Sequence, residues 1–133
     1  MLKGNSFTFL YTISSNRLRI KTCTLINIRA NGYAFINTEF AAFATRFLDT
    51  KTQQLPILCN IRGFDSKIAQ LITDYIELIL LIDKRQIKVP MLVVRLGGQD
   101  MILGRKWAAK IGVLINCKNR QLIWLEDYPK DKG

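Results

Sequence analysis

The sequence of 133 residues contains no histidine, and this absence excludes several kinds of active site. Histidine is the usual general base beside a serine or cysteine nucleophile, and it is the commonest nitrogen ligand of protein-bound metals. Acidic residues are also scarce, with ten Asp and Glu against twenty Lys and Arg, so the formal net charge is +10. Any catalysis would therefore rest on carboxylates, lysines or hydroxyls. We expect no metal and no other cofactor.

Long hydrophobic runs and paired cysteines are missing as well. Apolar runs such as residues 78–82 are far too short to cross a bilayer, and the N-terminus carries no secretion-signal pattern. The cysteines are odd in number and widely spaced: Cys23, Cys59 and Cys117. This spacing favours buried free thiols in a reducing compartment over a disulfide framework. We therefore predict an intracellular, cytoplasmic protein with no membrane partner.

Aromatic and β-branched residues at 7–13, and alternating polar and apolar residues at 17–26, predict a β-hairpin in the first third. Residues 7–13 and 17–26 form the expected strands, and Ser14-Ser15-Asn16 supplies the turn. The alternation stops at residues 27–32, a loop that ends in Asn-Gly, and residues 33–36 predict a short strand. The chain thus begins with two long strands, a loop and a third, shorter strand.

The rest of the sequence predicts further hairpins and two short helices. Asn37 or Thr38 is expected to cap a helix that carries Phe40, Phe43 and Phe47 on one face. A second helix covers residues 105–111 and ends at Gly112. The expected strands are residues 55–62, 67–72, 75–82, 86–96, 113–117 and 121–125, with Pro90 marking an edge or an irregularity.

These elements predict one mainly β, barrel-like domain with one or two short helices. Hydrophobic residues make up 49% of the sequence, enough for the core of a single domain of this length. We expect the folded domain at residues 7–126, with polar tails at 1–6 and 127–133.

Three segments resemble motifs of one protein family. They read LINIRANGYAFI at residues 25–36, RGFDSK at 62–67 and DMILGRKW at 100–107. In this order and spacing they are similar to the retropepsin-like aspartic protease domain of Gypsy-type LTR retrotransposons, especially fungal ones, where the domain is part of a Gag-Pol polyprotein. The resemblance runs from about residue 7 to residue 125 and implies a closed retropepsin-like barrel.

The resemblance also implies a mechanism and partners. In this family two identical chains pair, and each contributes one aspartate to a shared site. The two neighbouring carboxylates share a proton, because ionising both is costly. A homodimer and an extended peptide substrate are the implied partners. The implied flap over the peptide consists of Gly63, Phe64, Asp65 and Ser66.

The catalytic loop departs from the family pattern at three of its four positions. Asn27 stands at the aspartate, Ile28 at the Thr or Ser, and Arg29 at the glycine, while Ala30 matches. An amide cannot deprotonate, so Asn27 cannot act as a general base. We therefore predict an aspartic endopeptidase fold, ancestrally devoted to polyprotein processing, without peptidase activity in this chain.

No other acidic residue is expected to replace the missing aspartate. Asp49 and Asp65 precede Thr-Lys and Ser-Lys instead of the family's Thr-Gly or Ser-Gly. We interpret Asp100 as the end of a strand, and Asp74 and Glu77 as residues on the solvated face of another. Each is assigned a structural role.

Two other functions remain open. The fold could serve as a non-catalytic peptide-binding or dimerisation module, because β-augmentation needs no catalytic carboxylate. It could also be a basic, RNA-associated retroelement domain, because the charge of +10 favours phosphate. Arg17, Arg19 and Lys21 would share one strand face, which we interpret as solvated, with only weak nonspecific attraction to nucleic acid.

Overall fold

The computed structural model describes residues 6–27, 29–30, 32–62 and 69–127. The elements in this part of the chain are β1 (Ser6–Ser15), β2 (Leu18–Asn27), β3 (Ala34–Asn37), α1 (Thr38–Phe47), β4 (Gln53–Arg62), β5 (Ala69–Ile82), β6 (Arg85–Val94), β7 (Met101–Leu103), α2 (Arg105–Ile111), β8 (Val113–Asn116), β9 (Gln121–Trp124) and a 3₁₀ turn (Leu125–Asp127). Within these ranges, neither helix has the length and apolar composition that a membrane crossing requires.

Two hairpins use the same two-residue turn. Asn16 and Arg17 have φ values of 52° and 68°, and Asp83 and Lys84 have 48° and 64°. Two consecutive positive φ values match the right-handed twist of the flanking strands, which is why such turns dominate tight hairpins. Arg17 therefore lies in the turn between β1 and β2 and not at the start of the return strand, as its alternation had suggested.

Six of the strands close into a barrel. They follow the order β1-β2-β7-β3-β6-β5, and β5 pairs back onto β1 through Ile13 and Leu80. β4 pairs with β5 outside this ring. Closure reduces the strand edges that are open to pairing with other chains, although β5 joins β1 only at Thr12–Ser14. The prediction of a mainly β, closed barrel with two short helices is confirmed.

β5 is one continuous strand of 14 residues, so the prediction of separate strands at 67–72 and 75–82 is wrong. Its first part pairs with β4, and its last part pairs with both β1 and β6. Pro90 is accommodated in β6 because β3 pairs with that strand only from Leu92 onwards. The amide hydrogen that proline lacks is therefore not needed there.

The core is mostly apolar, with Thr22 and Thr24 of β2 also buried, and it includes the fully buried side chain of Trp107 from α2. α1 packs on the barrel through Ala41 and Ala44, which are buried together with Leu48 directly after the helix. The phenylalanines of α1 share a face as predicted, but that face lies beside the contact with the barrel, and Phe43 and Phe47 are exposed. Small alanines let the helix approach the sheet closely.

The cysteines fit the sequence interpretation in part. Cys23 and Cys117 are free thiols, but each is half-buried, not fully buried as expected.

The β8–β9 hairpin is attached to the barrel through the turn between β5 and β6. Trp124 donates a hydrogen bond from Nε1 to Asp83 Oδ2 at 2.6 Å, and Arg85 lies 4.0 Å from the centre of the Trp124 ring. Arg85 also forms ion pairs with Glu126 (2.7 Å) and Asp127 (2.8 Å).

Candidate functional site

The loop between β2 and β3 begins with a turn that Asn27 closes. The side-chain Oδ1 of Asn27 accepts a hydrogen bond from the backbone N–H of Arg29 at 2.9 Å. The backbone carbonyl oxygen of Asn27 accepts a second hydrogen bond, from the backbone N–H of Ala30 at 3.1 Å. Asparagine favours turns because its side chain can bond to the backbone two residues on. The Asn27 amide is thus occupied in holding its own loop.

The start of α2 anchors the other side of this loop. Gly104, the residue directly before α2, lies close to the backbone of the loop. A Cβ added to Gly104 would lie 2.3 Å from the Gly32 carbonyl oxygen and 2.8 Å from the Ala30 carbonyl oxygen. Only glycine allows this approach. Three backbone hydrogen bonds result: Gly104 N–H to the Tyr33 carbonyl (2.9 Å), Arg105 N–H to that of Ala30 (3.0 Å) and Lys106 N–H to that of Gly32 (3.2 Å).

β7 fixes both ends of the loop at once. Leu103 pairs in parallel with Ile26 on β2 and antiparallel with Ala34 on β3. All three side chains are buried. The loop is therefore attached at its entrance, at its exit and in its middle.

The loop holds no group that can take a proton at neutral pH. Residues 27–33 include no acidic residue. Burial raises the pKa of the Tyr33 phenol above its ordinary value, so this group stays neutral. Asn27 is half-buried, and the cationic side chain of Arg29 is exposed. Ile28 lies outside the described residues.

The other candidate carboxylates have structural positions. Asp100 Oδ2 accepts a hydrogen bond from the backbone N–H of Cys23 at 2.9 Å, and this bond ties the approach to β7 onto β2. Asp49 is an exposed turn residue with a φ of 54°. Asp74 accepts a hydrogen bond from the Thr73 hydroxyl at 2.5 Å. Glu77 is exposed on β5. Within the described ranges no cluster of three metal-ligating residues occurs.

The flap residues Gly63, Phe64, Asp65 and Ser66 lie outside the described residues, so their assignment stays a prediction. The strands on either side of them are described. β4 and β5 run antiparallel up to the pair Arg62 and Ala69. The pairing slips between Gln54 and Cys59, which marks an irregularity in β4.

An apolar cavity of about 450 Å³ lies between this irregular part of β4 and the residues that follow the loop. Tyr33 and Ala34 form one side of it, and Leu55 and Pro56 of β4 form another. Tyr75, Pro90, Met91 and Leu92 complete the lining. Sequence reasoning missed this cavity, because its residues come from four strands that are far apart in the chain.

Comparisons with known proteins support the fold alone. No protein-family model and no curated protein sequence matches the chain significantly. Among solved structures, the retroviral protease-like domain of Ddi1 from Leishmania major is similar, with a TM-score of 0.56 and 16% sequence identity over 90% of each chain. The chain has the retropepsin-like fold.

Within the retropepsin-like fold, the residues predicted from the sequence meet only in part. Asn27, Arg29 and Ala30 lie in one turn that is bonded to α2. The sequence already contained a signal for the contact with α2, the glycine after the apolar run in residues 101–104.

Proposed function

We propose that this chain is a catalytically inactive retropepsin-like domain. The observation that carries the proposal is the hydrogen bond from the Arg29 N–H to Asn27 Oδ1. An amide oxygen that accepts this bond braces the loop as a carboxylate oxygen would, but the amide provides no base. The loop is thus built for structure without proton transfer.

A peptidase assay on the purified chain tests the proposal. We expect no cleavage of extended peptides from about pH 3 to pH 7, because the site of a dimer would contain two amides and no carboxylate. The inhibitor pepstatin, which occupies aspartic protease sites, separates the domain's own activity from contamination. Pepstatin-sensitive cleavage by the unmodified chain would show that the proposal is wrong.

We propose homodimerisation as the state of the domain, since the shared site of this family needs two copies. The β8–β9 sheet supports this idea. Among the described residues these two strands pair only with each other, so both outer edges of the sheet are free. Leu114 is 53% exposed on this sheet and Leu125, which follows it, is 48% exposed. A second copy would cover both the edges and the leucines.

Peptide binding without cleavage is the second candidate function. The apolar cavity beside the loop supports it, because the partly exposed side chains of Leu55, Tyr33 and Leu92 provide a surface for an apolar side chain. The neighbouring strand β4 lies outside the closed ring and is the last strand of the described sheet, where an extended peptide can add by β-augmentation. An extended peptide with one large apolar residue fits both features.

Calorimetric titration with such peptides measures this binding. We expect saturable binding, and we expect Leu55→Ser to weaken it about tenfold because part of a leucine contact is lost. Leu10→Ser is the matched control, since Leu10 is 65% exposed on β1 and does not line the cavity. Absence of binding, or equal weakening by both substitutions, would leave the domain without a peptide-binding role.

We further propose that the domain descends from the Gag-Pol polyprotein of a fungal Gypsy-type retrotransposon. Three changes in the loop share a mutational signature. Asp to Asn, Thr to Ile and Gly to Arg can each arise by one C·G to T·A transition. Fungal genomes silence repeated elements by such mutation. We expect the encoding DNA to contain an excess of these transitions over related copies, and an even spectrum would contradict this origin.

A further inference from the structure

Four neighbouring strands of the barrel present one continuous outer face. Ile13, Ile20 and Leu80 are buried, so the residues beside them in β1, β2 and β5 point outwards. The strand register places these outward residues in two rows. The first row is Arg19, Ser14, Ile79 and Lys88, and the second is Lys21, Thr12, Leu81 and Gln86. We call these eight residues the basic face.

The basic face carries cations on both of its outer strands and hydroxyls between them. Strands are spaced about 4.8 Å apart, so the backbones of Arg19 and Lys88 are about 14 Å apart across the first row. Arg19 and Lys21 are two residues apart on β2, a distance of about 7 Å. Ser14 and Thr12 lie between these cations and are half-buried. A depression of about 320 Å³, lined in part by Arg19, Leu81 and Gln86, lies at the end of the face nearest the turn between β5 and β6.

The charges of the basic face are not neutralised within the described part of the chain. Arg19, Lys21 and Lys88 are exposed, and none of them forms an ion pair with a residue in the described ranges. The nearby acidic residues are used elsewhere: Asp83 accepts the Trp124 hydrogen bond, and Glu126 and Asp127 pair with Arg85. Glu77 is the exposed acid on the same side of β5. The net charge of the basic face is therefore positive.

We propose that the basic face binds the phosphodiester backbone of a nucleic acid, a function separate from that of the Asn27 loop. Lys and Arg side chains that release counterions provide the affinity, and Ser and Thr hydroxyls are common donors to phosphate oxygens. The eight residues include no aromatic side chain on which a base could stack. The face therefore holds phosphates without reading the base sequence.

Fluorescence anisotropy with labelled single-stranded RNA and DNA 20-mers of equal sequence, between about 50 and 200 mM salt, tests this surface. We expect Arg19→Gln/Lys21→Gln/Lys88→Gln to reduce the slope of log K against log salt by about 2, since each phosphate contact on a single strand contributes about 0.7. Equal effects on RNA and DNA are expected, because both have the same backbone charge.

The matched control is Arg46→Gln/Lys110→Gln/Lys118→Gln, which removes the same three charges from exposed positions outside the basic face. It should retain the slope of the unmodified chain. All six positions are exposed, so both variants should keep the melting temperature of the parent. Equal slope loss in both variants would mean attraction to total charge only and would overturn the proposal. Binding of the face to anionic lipid vesicles without binding to either nucleic acid would overturn it as well.

Discussion

Gly104→Ala is expected to destabilise the domain by about 2–4 kcal/mol, a large part of the stability of a domain this size. The added Cβ would lie 2.3 Å from the Gly32 carbonyl oxygen. Both this oxygen and that of Ala30 belong to backbone, so no flexible side chain can move aside. The loop must shift away from α2, and the three hydrogen bonds that join them are weakened together. Urea unfolding followed by circular dichroism measures the loss.

Gly98→Ala is the matched control for this substitution. A Cβ at Gly98 meets no atom within 4 Å, so the change should stay within about 0.5 kcal/mol of the parent. If the two alanine variants were equally stable, the close approach of loop and helix would not contribute to the fold. The comparison isolates the contact from the general effect of replacing a glycine.

Restoring the family residues in the loop is expected to convert an inactive chain into a peptidase. The variant Asn27→Asp/Ile28→Thr/Arg29→Gly should cleave extended peptides at acidic pH, about a hundredfold or more above the parent, and pepstatin should block it. Each change restores one requirement that the resemblance implies. Aspartate returns the shared proton, threonine returns a hydroxyl that braces the paired loops, and glycine removes a cation and its bulk from the dimer axis.

Two controls define what the revertant result means. Ile28→Thr/Arg29→Gly without the aspartate should remain inactive, because the loop would still contain no base. Sedimentation velocity on the revertant reports whether two copies pair, since one chain supplies only one aspartate. A dimeric revertant that neither cleaves peptides nor binds pepstatin would show that damage outside residues 27–29 prevents catalysis.

Several features of the fold were readable directly from short stretches of sequence. Aromatic and β-branched residues in β1 and the alternation in β2 predicted the first hairpin, because side chains of a strand point to opposite faces in turn. Gly112 predicted the end of α2, and its φ of 75° is the left-handed conformation that favours glycine there.

Other features depended on neighbours that a local pattern cannot reveal. Thr73 and Asp74 looked like a break between two strands, yet β5 continues through them because β4 pairs alongside at Asp74 and Tyr75. The spacing of the phenylalanines in α1 indicated an aromatic face, but the helix packs on the barrel through Ala41 and Ala44. Propensity is a weak guide when tertiary contacts decide which face is covered.

Local sequence indicated most of the strands and both helices, and it shows that residues 27–33 contain no acidic side chain. These properties depend on residues within a few positions of one another. Tertiary structure alone decided how the strands are ordered side by side. The pairing of Ile13 with Leu80 closes the barrel, and the same register brings Lys88 into one row with Arg19. Such long-range pairings are set by loop closure and core packing, which no local periodicity records.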